Sequence, residues 1–324
     1  MEARSNNMEL FHKLIQKNRK KGLEHIQDIN VNGKTYSGSD EVLLGFQEHF
    51  RSLSTFDKSA HKEIRYHQQV EMENKYITEM SKEELILPVT EEEITTAIAS
   101  INKRKSADFH SLTIEHILHA GENIITVLTH ILNSIFLEGD IPEVLKIGLL
   151  SPIFKNKGSK NDAINYRGIT VLPVISKIIE AVIRDRIQPL ISNVQRGFTK
   201  GSSPMNAALP VEEAYRILTD EKQNGHLVLL DAKAAFDKVI HPHLFRRMYH
   251  AGIQDKTWTI IKSLHHNAES CIKWTGSTSD CFKVCMGGRQ GGILSTDLYK
   301  LYINPLLKPF ARCRYRTENR KHQR

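Results

Sequence analysis

Apolar residues recur every three or four positions through much of the chain after Pro88, which is the spacing of one helix face. The first such run begins with Thr90 and Glu93, a pair typical of a helix capping box. Short apolar runs elsewhere predict one strand and one β-hairpin. The predicted helices cover residues 90–101, 111–119, 123–137, 174–190, 204–223, 242–250, 255–265 and 296–307, the strand covers 149–154, and the hairpin covers 271–284.

Four consecutive apolar residues at 227–230, LVLL, follow the pair Asn224-Gly225, which is typical of a helix end. Such a run predicts a strand that is buried on both faces. Asp231 comes directly after it, where a buried strand would leave its sheet. A carboxylate there can hold a divalent cation or accept hydrogen bonds from the free N–H groups of a helix. For an isolated Asp the helix cap is the commoner arrangement, so the residue by itself leaves both possibilities open.

The first 87 residues have a more broken pattern. A basic helix is predicted at 8–20, Asn32-Gly33 is typical of a hairpin turn, and residues 42–53 carry an apolar face at helical spacing. Residues 54–85 are charged with little periodicity, which is typical of a linker. We interpret residues 1–87 as a linker or a mostly helical N-terminal extension, and nothing in them suggests chemistry.

The composition permits a folded protein with an anionic partner. The chain has 324 residues, is 40% hydrophobic and 25% charged, and carries a formal net charge of +8. A basic excess favours nucleic acid, because Lys and Arg release counterions when they contact phosphates. A merely basic soluble protein would show the same charge.

Four cysteines, Cys271, Cys281, Cys285 and Cys313, show neither CxxC spacing nor a histidine pattern. We therefore expect reduced thiols without a disulfide partner or a zinc site. No apolar signal core is found at the N-terminus, and the apolar region at 124–137 is too short to span a bilayer. The expectation is a soluble intracellular protein without a membrane partner.

Two glycine-containing loops carry donors or aromatic groups. The loop at 195–201, QRGFTKG, sets Gly197 and Phe198 beside basic residues, a composition that can follow a phosphate backbone or stack a base. An ordinary surface turn has the same composition. In the loop at 287–295, GGRQGGILS, four glycines would let another chain approach the backbone, with donors from Arg289 and Gln290 beside them.

The order of these segments is more specific than any one of them. Residues 151–157, the end of the predicted strand with the start of a basic turn, are followed by NYRGITVL at 165–172, QRGF at 195–198, D-x-x-x-A-F-D at 231–237 and R-Q-G-x-x-x-S at 289–295. This order resembles the reverse transcriptase domain of non-LTR (LINE-like) retrotransposons, from about residue 88 to 307.

The resemblance implies an α+β fold of the right-hand polymerase type, with fingers and an incomplete palm. It divides the chain into the extension 1–87, fingers and part of the palm at 88–225, the rest of the partial palm at 226–307, and a basic tail at 308–324. In such a fold the 227–230 strand would lie in a small sheet beside residues 271–284, with the 296–307 helix packed behind it.

The resemblance also implies RNA-directed DNA synthesis on an RNA template from a DNA primer, with two Mg²⁺ or Mn²⁺ ions. Asp231 would be the catalytic carboxylate and a metal ligand, and the Ala232 carbonyl would lie beside the same ion. Asp237 matches the motif, but we interpret it as a cap of the next helix. The other residues carried over are Phe236, Arg167, Lys155, Gln290 and Gly291 for the nucleotide, and Arg289, Phe198 and Gly197 for template or primer.

The family next places two adjacent Asp residues, and no adjacent Asp pair occurs in this sequence. A thumb is not recognisable either, and residues 308–324 are strongly basic. We therefore expect a truncated transposon reading frame, a polymerase by family, whose single carboxylate holds metal poorly and does not support catalysis. The alternative is a non-catalytic relic that binds nucleic acid.

Overall fold

A computed structural model describes residues 26–56, 64–187, 195–199, 201–232 and 234–312, with side chains up to residue 307. The described residues form a mixed α+β structure of two sheets and ten helices. The elements are β1 (Asp28–Val31), β2 (Lys34–Ser37), α1 (Ser39–Ser54), α2 (Ile64–Glu83), α3 (Glu91–Ser100), α4 (Ile114–Leu118), α5 (Ile124–Glu138), β3 (Ile147–Phe154), β4 (Tyr166–Val171), α6 (Val174–Ile187), α7 (Pro204–Asp220), α8 (His241–Ala251), α9 (Lys256–His265), β5 (Glu269–Trp274), β6 (Ser277–Lys283) and α10 (Ser295–Arg312).

The larger sheet has the strand order β4-β3-β5-β6. β3 is antiparallel to β4 and parallel to β5, and β5 turns back into β6 as the predicted hairpin. Ile153 of β3 is opposite Arg167 of β4, and both side chains are exposed on the outer face. β4 is an edge strand, so its free backbone groups remain available to another segment.

The N-terminal hairpin β1–β2 turns at Asn32 and Gly33, whose φ values are 52° and 86°. This confirms the predicted turn, since both central residues of a type I′ turn need positive φ. Helix α1 follows, and Phe46 on its buried face packs with Tyr166 and Trp274 of the larger sheet. The predicted helix at 8–20 lies outside the described residues.

The larger apolar core lies among the helices and contains residues of α3, α5, α6, α8, α9 and α10. Thr90 and Glu93 form the predicted capping box at the start of α3, and Gly139 ends α5 at φ 74°. The helix predicted at 111–119 is shorter, Ile114–Leu118. None of the helices in the described ranges combines the length and the apolar content needed to cross a bilayer.

Residues 54–85, which show little apolar periodicity, contain the 20-residue helix α2, as the alternative of a mostly helical extension allows. Glu73 of α2 accepts bonds from Arg246 and His250 of α8, at 2.5 and 2.6 Å. Asn74 Nδ2 donates to the carbonyl of Pro242 at 2.8 Å. Val70 and Ile77 on the same face are buried, so polar and apolar contacts together hold α2 in place.

Cys271 of β5 and Cys281 of β6 lie opposite each other and form a disulfide, with Cα atoms 4.2 Å apart. The expectation of reduced thiols without a disulfide partner is therefore wrong. The spacing of ten residues carries no disulfide signature, and only the register of the hairpin brings the two side chains together. Cys285 is a free, exposed thiol.

The prediction of a buried strand at 227–230 is wrong. Residues 223–232 form neither helix nor strand, and Leu227, Val228, Leu229 and Leu230 are 68%, 77%, 84% and 73% exposed. The strand next to β5 in the sheet is β3 on one side and β6 on the other. An apolar run is stable as a strand only where neighbouring strands pair with its backbone N–H and C=O groups. No described strand pairs with residues 227–230.

The segment at 201–232, which includes α7, packs little against the rest, and none of its described residues is buried. The predicted helix is confirmed as Pro204–Asp220, with Pro210 inside it. Several of its apolar side chains, among them Leu209 and Tyr215, are more than half exposed. The segment therefore contributes little to either core.

Candidate functional site

The most ordered part of the predicted site is the loop at residues 287–295, which we call the glycine loop. Gly287 N–H donates to the carbonyl of Val239 and Gly288 N–H to that of Phe236, both at 2.8 Å. Gly292 N–H donates to Arg289 O at 2.9 Å, and the Ser295 hydroxyl donates to the same carbonyl. These bonds close the loop on itself and fasten it to residues 236–239, so two separate family motifs meet here.

Gly291 lets the glycine loop reach the edge of the sheet. The carbonyl of Gln290 accepts from Thr170 N–H of β4 at 2.6 Å. Gly291 has a φ of +124°, and a Cβ on it would lie 2.2 Å from the carbonyl oxygen of Thr170. Only glycine fits this approach, because any side chain would clash with backbone and also be strained. The open edge of β4 is thereby occupied by the loop.

Gln290 and Asp237 connect the two motifs through their side chains. Gln290 Nε2 donates to Asp237 Oδ1 at 2.6 Å. The interpretation of Asp237 as a helix cap is wrong, since α8 begins at His241 with Ile240 in the cap position. The Asp237 carboxylate instead accepts the hydrogen bond from Gln290.

Phe198 and Phe236, predicted separately, are brought together. Their ring centroids are 5.8 Å apart, and Phe236 lies 4.8 Å from the ring of Tyr299 on α10. Phe198 is 66% exposed, so one aromatic face of the cluster is open to a ligand. The Phe198 carbonyl accepts from Lys300 Nζ at 2.8 Å, and Lys300 pairs with buried Asp297 at 3.0 Å. Sequence reasoning missed this lysine, which fixes the 195–199 segment to α10.

Arg289 points into the protein. Its side chain is buried, and Nη2 donates to the carbonyl of Lys146 at 2.7 Å. Burial lowers the pKa of Arg289 to about 10, so the group stays charged at neutral pH. Nη1 has no hydrogen-bond partner within the part of the chain that the structure describes. The Arg289 guanidinium thus lies on the protein side of the glycine loop and not on its solvent side.

Glu180 of α6 is a second residue that sequence reasoning missed. It is 4% exposed, and Oε2 accepts from Ile293 N–H at 2.6 Å and from Leu294 N–H at 3.2 Å. Burial raises the pKa of this carboxyl, while Arg289 and the two N–H groups oppose the shift. The sequence did contain a signal for Glu180, because it is the one charged residue in the otherwise apolar run IIEAVI at 178–183.

Two buried histidines support the other end of the loop. His241 Nε2 donates to the carbonyl of Gly287 at 2.9 Å, and its ring meets that of His265 at a centroid distance of 5.0 Å. Burial lowers the pKa of His241 to about 4 and that of His265 to about 3. Both rings are therefore neutral at physiological pH.

Arg167 and Lys155 lie on the exposed side of the β3–β4 pair. Lys155 Nζ donates to the carbonyl of Ile164 at 2.7 Å, and its backbone N–H donates to Asn165 O at 2.8 Å. Both basic groups lie near the same end of β4, and Arg167 is three residues from the docking point at Thr170, about 10 Å along a strand. Gly197 is exposed, with open space around it.

Asp231 and Ala232 lie on the exposed stretch after 227–230, away from the ordered loop contacts. In the described ranges, no three His, Cys, Asp or Glu side chains are grouped so that they could hold a metal ion. The donors present around Asp231 therefore do not fit a two-metal site, which needs several oxygen ligands at once. The assignment of Asp231 and the Ala232 carbonyl as metal ligands stays a prediction.

Residues 155–321 match the family model for reverse transcriptase (RNA-dependent DNA polymerase), just over half of the chain. The chain belongs to the reverse transcriptase family. Every site residue named above from the motifs lies within the matched range, from Lys155 to Gly291, and so does Glu180.

The chain is also similar to polymerases of non-LTR retrotransposons. It is 27% identical over 199 residues to the probable RNA-directed DNA polymerase from transposon X-element of Drosophila melanogaster, covering 57% of this chain and 21% of that protein. It is 26% identical over 224 residues to the RNA-directed DNA polymerase from mobile element jockey of Drosophila funebris, covering 66% and 24%. Identity to the Pol polyprotein from retrotransposable element R2 of Popillia japonica is 22% over 224 residues, covering 68% and 30%. This reverse transcriptase domain thus spans less than a third of the length of these relatives.

Proposed function

We propose that this chain is the fingers and part of the palm of an RNA-directed DNA polymerase, and that it grips an RNA template and a DNA primer. Residues 88–225 would form the fingers with part of the palm, and 226–307 the rest of the partial palm. The formal net charge of +8 supports a polyanionic partner.

The observation that carries the proposal is the docking of the glycine loop. Loop contacts join Gln290 to Asp237 and to Thr170, so motifs far apart in sequence meet at one place. Gln290 and Gly291 would follow the template and the incoming nucleotide. Phe236, held next to Tyr299, would be the aromatic side chain that excludes a ribose 2′-hydroxyl.

The exposed aromatic and basic groups would bind the strands. Phe198 presents an aromatic face, and stacking of a base on it is sequence-tolerant. Gly197 would allow a strand to approach the backbone closely, because the space around it is open. Arg167, with Lys155 as a weaker partner, would neutralise triphosphate or backbone phosphates. Buried Arg289 would support the template path from behind the loop.

Catalysis is a separate question. The family generally uses divalent metal ions, and Mg²⁺ or Mn²⁺ at Asp231 and the Ala232 carbonyl belongs to the proposal. Because the donors in the described residues do not fit such a site, we propose that this 324-residue chain binds nucleic acid without extending a primer.

Titration of labelled single-stranded RNA at two salt concentrations tests the binding. The Arg167→Gln change should weaken binding and reduce the slope of log affinity against log salt by about 0.7, since one phosphate contact is lost. Arg216→Gln on α7 removes the same charge and serves as the matched control. Binding that ignores salt, or equal effects of the two variants, would contradict the assignment of Arg167.

A primer-extension assay on an RNA template with Mg²⁺ or Mn²⁺ tests the catalytic part. We expect no product from the unmodified chain. Templated extension that is lost in Asp231→Ala would overturn the proposed inactivity and establish Asp231 as the catalytic carboxylate.

A further inference from the structure

We infer that Glu180 is the positioning residue of the glycine loop, which it holds in place through the backbone of Ile293 and Leu294. The inference deepens the proposed function, on which it rests for the loop's role toward template and nucleotide. Glu180 lies outside both motifs, 231–237 and 289–295. It belongs to helix α6, more than one hundred residues before the loop.

The location of Glu180 is costly for a charge. It lies on α6 between Ile179 and Ala181, and both of these neighbours are fully buried in the larger apolar core. A carboxylate in such surroundings is retained only where donors or cations compensate for the lost water. The compensating groups should therefore identify what Glu180 is there to hold.

The compensation comes from the glycine loop. A single oxygen, Oε2, accepts from both Ile293 N–H and Leu294 N–H, which directly precede the first residue of α10. Such N–H groups have no partner inside the helix, and a negative charge beside them is favoured by the helix dipole. Glu180 thus acts as a helix cap supplied from another element.

Charges around the carboxylate fit the same function. Arg289 of the loop and Lys177, one turn earlier on α6, both stabilise the ionised carboxyl. Ser295, the first residue of α10, directs its hydroxyl to Arg289 O. A Cβ on Gly292 would lie 3.2 Å from Glu180 Oε2 and 2.6 Å from the Ser295 oxygen. Glycine at 292 therefore lets the loop backbone pass close to this carboxylate.

The geometry has a consequence for Gln290 and Gly291. With Ile293 and Leu294 fixed from behind, the loop is held between α6 and the edge of β4, where Gln290 O meets Thr170 N–H. Loss of the hydrogen bonds from Ile293 N–H and Leu294 N–H to Glu180 would let the loop move away from Thr170 and Asp237, although neither of these two residues touches Glu180. Loop position, rather than global stability, is the quantity that Glu180 should control.

Amide hydrogen exchange of the full 324-residue chain, without nucleic acid, tests the inference. Glu180→Asp keeps the charge but shortens the reach, and we expect exchange in the glycine loop to rise about tenfold, because two buried donors lose their partner. Glu180→Gln keeps an acceptor oxygen at the same reach and should restore most of the protection. Asp185→Asn, at an exposed site on the same helix, is the control and should leave loop exchange unchanged.

Affinity for single-stranded RNA provides the second readout. Glu180→Asp should weaken binding about threefold or more and Glu180→Gln should recover it, since a loop that has left β4 no longer presents Gln290. Loop exchange that is unchanged in Glu180→Asp, or equally raised in Glu180→Gln and Glu180→Asp, overturns the inference. Absence of RNA binding by the unmodified chain would instead overturn the proposed function, while the exchange results would still decide the role of Glu180.

Discussion

Two segments carry the motifs by which the family is recognised, 231–237 and 289–295, and they fold differently. The second is built into the protein: Gly291 approaches the backbone of Thr170, the preceding Gly287 and Gly288 bond to residues 236–239, and Glu180 holds the far end of the loop. The first is ordered by contact only at its end, where Phe236 and Asp237 meet the loop. Its beginning, Asp231 with the preceding 227–230, is exposed.

The difference shows what each motif needs for its structure. The glycine loop is satisfied by groups within the described residues: a buried carboxylate, a histidine and a free sheet edge. A buried strand needs partners along both sides, because each residue brings one N–H and one C=O that must be paired. The described sheet offers no such place to 227–230. The two segments should therefore respond differently to acid and to substitution.

Acid should produce the largest effect, and it should begin at the glycine loop. His241 and His265 have folded-state pKa values of about 4 and about 3, below the value near 6.5 in the unfolded chain. Protons therefore favour the unfolded state, so stability is full above about pH 6.5 and falls as the pH drops toward 4. At pH 5 the two groups should together cost about 4 kcal/mol.

Urea unfolding between pH 7 and pH 5 measures this loss. His241→Gln can still donate to Gly287 but does not titrate, and it should reduce the loss of stability between pH 7 and pH 5 by about 2 kcal/mol. After division by the intrinsic exchange rate at each pH, amide protection at pH 5 should fall first in the glycine loop, while the already exposed 227–230 segment should show little change. Equal stability at pH 7 and pH 5 would contradict the buried neutral histidines.

Two leucines, one from each segment, provide the next test of the comparison. Leu294 in the glycine loop is 1% exposed, and Leu229 is 84% exposed. Leu294→Ala should lower the free energy of unfolding by about 3 kcal/mol, because it leaves a cavity in the core. Leu229→Ala should change it by less than about 0.5 kcal/mol. A loss of 2 kcal/mol or more for Leu229→Ala would show that the 227–230 run is packed in solution.

Substitution of glycine should give a smaller but more specific effect. Gly291→Ala places a methyl group against the Thr170 carbonyl at a φ of +124°, and we expect a loss of about 2 kcal/mol. Gly276→Ala has a φ of +92° with open space, so strain alone should cost about 1 kcal/mol. Gly197→Ala meets nothing and should be nearly neutral. Thermal unfolding of the three variants under one condition gives the order.

Local patterns in the sequence were sufficient for much of the secondary structure. The capping box at Thr90 and the turn at Asn32-Gly33 each depend on residues close in sequence, and both are confirmed. The apolar run at 227–230 failed as a prediction, because strand formation depends on distant partners and not on the run itself. The bounds of helix α2 were not predicted, because its buried face mixes Val70 and Ile77 with the polar residues His67, Asn74 and Ser81.

The sequence by itself determined the family, through motifs whose order and residue types are readable without coordinates. Through the resemblance it also assigned Phe236, Gln290 and Gly291 to the nucleotide and Phe198 to the template or primer, although not which atoms hold them. The tertiary structure alone decided that Arg289 is buried, that Cys271 and Cys281 are paired and that Glu180 caps the glycine loop. Each of these facts depends on groups that come together only when separate elements pack, and no spacing along the chain encodes that distance.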